Sequence, residues 1–278
     1  MIFLGLSILS SIGIFIVFRM FSSYAMHTRQ GIMINYLVAG LVGLAVFRPS
    51  HLWLKEPWFA PSCALGILFY LIFSVMGRVT QYNGLSIASL AAKMSVVIPV
   101  SIGLLFLDES LSALKVIGIA LGLTSIVLSA GASVRGRDLL WPVILFIGSG
   151  IIDASLKLFQ HAMVDESVFP MFVSNVFLSA FVAALAHHLF TKERHLTIRT
   201  AIGGLGLGLV NFAALFFLLK SLALTDWESS LVFPINNFGI IAGSTMLGFF
   251  LLGERLTMRG WAGFGFASLS ILLLYLAK

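Results

Sequence analysis

The sequence predicts an all-α fold, a polytopic membrane bundle of ten transmembrane helices built as two inverted five-helix repeats. Three observations carry that prediction. Of 278 residues, 59% are hydrophobic and only 10% are charged, with a mean hydropathy of +1.06, so polar side chains are too few to coat a water-soluble globule of this size. The apolar residues are gathered into continuous runs close to the roughly 20 that a helix needs to cross a hydrocarbon core about 30 Å thick, whereas barrel strands would alternate over segments of about ten. Finally, Leu107-Asp108-Glu109-Ser110-Leu111 followed by Gly118 returns without a gap as Leu252-Gly253-Glu254-Arg255-Leu256 followed by Gly263, the two Glu standing 145 positions apart. Internal duplication of a membrane unit marks transporters.

The ten runs lie at about 2–22, 31–47, 58–77, 85–107, 111–131, 139–161, 168–190, 201–221, 229–252 and 257–277, each about the length of a span. The first begins at Ile2 without a basic leader, stays apolar to Phe18, and has no small-x-small cleavage pattern before Arg19, so it reads as a helix that is kept rather than a secretory signal. The fourth carries Pro99 and, near its start, Lys93. The fifth follows the first Glu motif and holds Gly118-x-x-x-Gly122, a small-residue spacing suited to close helix packing. Asp153 and Lys157 lie in the sixth, Asn175 in the seventh, and His187-His188 ends that seventh run, where polar tips meet water. The eighth contains Gly204-x-x-x-Gly208 and Asn211; no strand precedes those glycines, so packing rather than a phosphate loop is expected. Pro234, Asn236, Asn237 and Gly239-x-x-x-Gly243 fall in the ninth, and Gly263 in the tenth.

Ten runs divide into five plus five, 1–133 and 134–278, around the basic segment Ser133 to Asp138. An odd number of spans per repeat turns the second copy upside down, which allows two related shapes, open to one side or the other. The same register pairs Thr80 with Thr225, Gly103 with Gly248 and Ser125 with Ser270.

The Leu-x-Glu-x-Leu motif closing the fourth helix, with Gly inside the fifth, and its repetition at the ninth and tenth helices resemble the EamA-type branch of the drug/metabolite transporter superfamily. The resemblance implies a ten-helix secondary transporter with a central cavity. It names no cargo. The helix prolines depart from strict repetition, Pro99 and Pro234 occupying different repeat positions, and that predicts an asymmetric cavity.

Glu109 and Glu254 sit where one helix ends and the next begins, so each carboxylate is expected to cap the free N–H groups of the following helix. Lys93 lies about eight residues into its run, roughly 12 Å along a helix, farther than a lysine stem snorkels in full. It should therefore face the bundle interior, on a polar stripe with Ser86 and Ser89. Asp153 and Lys157 stand four apart on one helix face with Ser149, Gln160 and His161. They form either a self-neutralising pair or a pair that opens when a substrate or proton competes, and Asp153, the one carboxylate deep in any run, is the proton-coupling candidate. The carbonyls that the prolines free, Ser95 and Ser230, are further ligand candidates. The expected substrate-binding set is Lys93, Lys157, Asn237, Ser89 and Asn211.

Two Lys against one Asp leave this set formally positive by one, which favours an anionic or zwitterionic cargo such as an organic acid or amino acid. Amides and kinks also serve packing alone. An intramembrane enzyme using Asp153, Lys157 and His161 in acid–base chemistry is the alternative, and it requires its groups to gather near one face. No His pair has metal spacing, so neither metal nor cofactor is expected, and the lone Cys63 has no internal disulfide partner.

If the first helix ends on side B, that side collects Arg19, Arg29, Arg78, Arg135, Arg137, Lys192, Arg194, Arg199, Arg255 and Arg259. The other side has Arg48, Lys55, Lys115 and Lys278. The positive-inside rule then puts side B in the cytoplasm. This asymmetry accounts for the net charge of +6 without nucleic acid as a partner. The expected partners are a small-molecule substrate and the lipid bilayer, for a monomer or homodimer in the bacterial plasma (inner) membrane.

Overall fold

A computed structural model describes residues 2–47, 53–83, 91–93, 95–106, 112–130, 140–162, 164, 166–190, 196–224, 227, 229–252 and 258–277. Among them there is no strand. Ten α-helices follow one another: α1 Ile2–Ser23, α2 Thr28–Phe47, α3 Phe59–Asn83, α4 Val97–Phe106, α5 Ala113–Ala130, α6 Leu140–Ala162, α7 Phe169–Leu189, α8 Ile198–Leu224, α9 Ser229–Leu252 and α10 Met258–Leu276. Short 3₁₀ turns lie at Trp53–Lys55 and Glu166–Val168. Five helical segments, Thr28–Val46, Phe59–Val79, Leu140–Phe159, Phe169–Leu189 and Ile198–Leu224, are long and apolar enough to cross a membrane by length and composition.

The fourth run differs from its expected shape. Residues 91–93 are helical, Ser95 and Val96 form a turn, and α4 starts at Val97. The cause is local. Pro99 has no N–H to give to the Ser95 carbonyl, and the chain tightens instead: Val96 N–H donates to Lys93 O at 3.3 Å and Ile98 N–H to Ser95 O at 2.9 Å, both three residues back. The Ser95 hydroxyl completes the turn by donating to Ala92 O at 2.6 Å.

The chain folds as two compact units that do not follow the sequence halves. One comprises Met1–Ser74 and Leu158–Ala223, the other Val75–Lys157 and Leu224–Lys278.

In the first unit α2 packs along α7, and the Ser174 hydroxyl bonds the Gly40 carbonyl. Tyr36, fully buried, stacks on Phe177 with centroids 6.0 Å apart and donates its hydroxyl to Phe69 O at 3.3 Å. At the crossing of α3 with α7, a Cβ on Gly66 would collide with the carbonyl of Val176 and the N–H of Ala180. Backbone atoms cannot step aside as a side chain can, so this crossing requires glycine.

In the second unit α5 packs along α10, and α9 packs on α4, α5 and α10. The Ser270 hydroxyl donates to Gly118 O at 2.6 Å across the α5–α10 seam, whereas its repeat counterpart Ser125 donates within its own helix to Gly122 O at 2.7 Å. Gly118 faces Leu274 and Gly122 faces the Phe238 ring, which makes Gly118-x-x-x-Gly122 a packing motif. In the first unit Gly204 and Gly208 meet the backbone of Gly31 and Asn35, so that spacing is a packing motif too. Among the described residues, two of the extensively packed helix pairs, α2 with α7 and α5 with α10, are ones that a shift of 145 positions superimposes in sequence.

Candidate functional site

The second unit brings Lys93, Asp153, Lys157 and Asn237 to the interrupted helix before α4. Each arrives for a local reason. Lys93 lies in the helical residues 91–93 ahead of the Ser95–Val96 turn, and its half-buried side chain donates from Nζ to Oδ1 of Asn237 on α9 at 3.1 Å. Lysine has donors only, so Asn237 must turn its carbonyl oxygen to Lys93 and its NH₂ away. That Nδ2 is buried without a hydrogen-bond partner, as is Oδ1 of the adjacent Asn236. Both Asn lie one turn past Pro234, inside α9. Beside Asn237, Phe238 is fully buried, and a Cβ on Gly122 would fall inside its ring. Phe238 is the residue that the 145-position shift places opposite Lys93.

On α6, Asp153 and Lys157 do share one face, as their spacing requires. Asp153 is half-buried and feels the charge of Lys93, an interaction that the spacing on α6 alone does not show. Lys157 is 1% exposed and donates from Nζ to the carbonyl of Pro99 at 3.1 Å. The approach of α6 to α4 is permitted by Gly150, two turns before Lys157, where a Cβ would collide with the Ile98 side chain. The carbonyl that Pro99 frees, Ser95 O, is taken by Ile98 N–H, and it is Pro99's own carbonyl that meets a functional group.

Asn211 lies on α8. It belongs to the first unit, where its Nδ2 donates to Oδ1 of Asn35 at 3.0 Å, joining α8 to α2. Asn35 is fully buried and its Nδ2 has no partner. Asn35 had drawn no attention in the sequence, although a lone amide in an apolar run signals an interhelical bond. Asn175 likewise serves packing in that unit, donating to Ser62 Oγ and, at 3.3 Å, to Phe59 O. Lys115, counted above with the surface cations, is 2% exposed. Its backbone N–H donates to the Ser112 hydroxyl oxygen at 3.2 Å at the start of α5, and its side chain is buried within the protein. Ser86, Ser89, Glu109 and Glu254 lie outside the described residues, as do the side chains of Gln160 and His161. Among the described residues no group of three or more His, Cys, Asp or Glu could hold a metal ion.

Residues 140–276 match the model of the EamA-like transporter family. This half of the chain belongs to that family. The match bears out the resemblance carried by Leu252 to Leu256 and Gly263, which lie within it, and places this half in the drug/metabolite transporter superfamily. An uncharacterized protein of Haemophilus influenzae is 26% identical over 284 residues, spanning 97% of this chain and 96% of its own length. A protein crystal structure with 16% identity superposes with a TM-score of 0.76 over 99% of this chain and 96% of that one; at that identity it speaks for the fold alone. EamA-like proteins are membrane transporters, and with five long apolar helices the chain is an integral, multi-pass membrane protein. The family implies a small-molecule substrate and contact with lipid.

Proposed function

We propose that the protein is a secondary active transporter that moves a small polar metabolite, an amino acid or an organic anion, across a bacterial inner membrane by alternating access. The observation that carries this reading is the donor pair at the interrupted helix. Lys93 Nζ and the unpartnered Nδ2 of Asn237 are joined through one side chain, and two donors side by side suit a carboxylate. Charged groups within spans are costly and mark substrate and ion pathways. Interrupted helices are where transporters of this construction bind their cargo. Lys93 and Asn237 are assigned to the substrate. Asp153, close enough to feel Lys93, is assigned the coupling proton: when it is neutralised, Lys93 loses a competitor for the substrate's charge. The packing of α2 on α7 and of α5 on α10 supports two inverted five-helix repeats, because elements related by a two-fold axis meet their own counterparts along it. The protein acts as a monomer or homodimer.

The test is reconstitution into liposomes after a metabolite panel has been screened for thermal stabilisation, since a ligand that binds only the folded state raises its apparent stability. At least one amino acid or organic acid should stabilise the protein and accumulate against its gradient when a proton gradient is imposed. Stabilisation by cations alone, or turnover of a panel compound into a new chemical species, would overturn the reading.

A further inference from the structure

We infer that Lys157 is a positioning residue that splints the interruption before α4, rather than a ligand for the cargo. The inference deepens the transport reading, because the group it positions is Lys93. Its own observations are four. Lys157 lies almost wholly out of reach of solvent, at 1% exposure. Its ammonium donates to a backbone carbonyl, that of Pro99, 58 residues away in sequence. That carbonyl lies just past the Ser95–Val96 turn, on the side where α4 restarts. One turn earlier on the same face of α6, Asp153 feels the charge of Lys93, which lies just before the turn. A single face of α6 thus carries an ammonium bonded just past the interruption and, one turn earlier, a carboxylate within electrostatic reach of the lysine before it. Gly150 admits α6 closely enough to Ile98 for this to happen.

The physical need is plain. A helix interrupted by a turn loses the hydrogen bonds that would keep its two parts in line, and a proline on the far side cannot restore them. A buried ammonium needs an acceptor, and backbone carbonyls are among the partners that intramembrane charges take. A carbonyl oxygen has two lone pairs, so Pro99 O can accept from Lys157 and still serve its helix. The bond fixes where α4 resumes, and with it the place at which Lys93 is delivered to Asn237.

Hydrogen–deuterium exchange of the purified full-length protein, without substrate, separates this role from ligand binding. In Lys157→Met, peptides covering 92–106 should exchange at least tenfold faster while α2 and α7 keep the wild-type rate; Lys157→Arg, which keeps a cationic donor, should restore protection. Pro99→Ala returns the missing N–H, so in that background Lys157→Met should no longer change exchange in 92–106. If Lys157→Met alone does not fold, Pro99→Ala/Lys157→Met should recover folded protein. Unchanged exchange in 92–106, an equal rise over α2 and α7, failure of the Arg variant, or no recovery in the double variant would each overturn the splint. Because substrate is absent, a splint that holds while no panel compound binds would sink the transport reading alone. Unaltered exchange beside intact proton-driven uptake would sink the splint alone.

Discussion

In the unit formed by 1–74 and 158–223, every fully buried polar side chain among the described residues is neutral: Ser7, Gln30, Asn35, Ser62, Ser174, Asn175, Thr200, Asn211 and Ser221. In the unit formed by 75–157 and 224–278, Lys115 and Lys157 are fully buried; Lys93 and Asp153 are half-buried, as Lys220 on α8 is in the first unit, where it lies over the Phe3 ring. Neutral amides and hydroxyls bond helix to helix at small cost, as Asn211 does to Asn35 and Ser7 to Ala214 O at 3.0 Å. Charges in a span cost several times more, and among the described residues the fully buried ones, Lys115 and Lys157, both belong to the second unit. That difference supports the proposal that the chemistry resides in the unit with the interrupted helix.

The hardest way to break this contrast is Lys93→Ala. It removes a charge-assisted hydrogen-bonding group, worth about 1.5–3 kcal/mol, so substrate affinity should fall about ten- to a hundredfold, read as the ligand concentration needed for half-maximal thermal stabilisation. Wild-type affinity in this variant would remove the site from the second unit. Asp153→Asn comes next. It keeps the shape and removes the titrating group, so substrate exchange between the two sides should persist at roughly a tenth of the wild-type rate or better, while accumulation driven by a proton gradient disappears. Gradient-driven accumulation that survives would move the coupling group elsewhere.

How much of this contrast was legible beforehand follows from what each signal depends on. The helices were legible because a span needs an unbroken apolar run, and among the described residues every run but the fourth corresponds to a single helix. Lys93, Asp153 and Asn237 were legible because a polar group deep in such a run needs a reason. The interruption at Ser95–Val96 was not, since Pro99 alone predicts a kink and the retreat to bonds three residues back is a choice of backbone geometry. Nor was the bond of Lys157 to Pro99 O, because that carbonyl comes from another helix. The burial of Lys115 was hidden for the same reason, because counting cations near helix ends places each by distance along the chain. The interleaving of the units was hidden too, as repeats read along the sequence do not say which copies share a core.

Asn211→Leu sharpens the contrast from the other side. Interhelical amide bonds in membranes contribute about 0.6 kcal/mol on average and up to about 1.7, so unfolding in a denaturing detergent should shift by about 1 kcal/mol, with uptake per folded molecule within about twofold of wild type. A transport defect as deep as that of Lys93→Ala would mean that the first unit also handles substrate.

The smallest effect is expected inside the second unit itself, at two residues that the repeat makes equivalent. Ser270 bonds across the seam to Gly118 O, and Ser125 bonds within its own helix to Gly122 O. A hydroxyl that returns to its own helix links nothing, and its loss leaves a carbonyl that the helix already serves. Ser125→Ala should therefore be neutral within about 0.3 kcal/mol, whereas Ser270→Ala should cost about 0.5–1 kcal/mol of α5–α10 association, with transport unchanged in both. Equal costs would mean that the two copies of the repeat still work as a symmetric pair, and the division of labour within this unit would then rest on Lys93 and Phe238 alone.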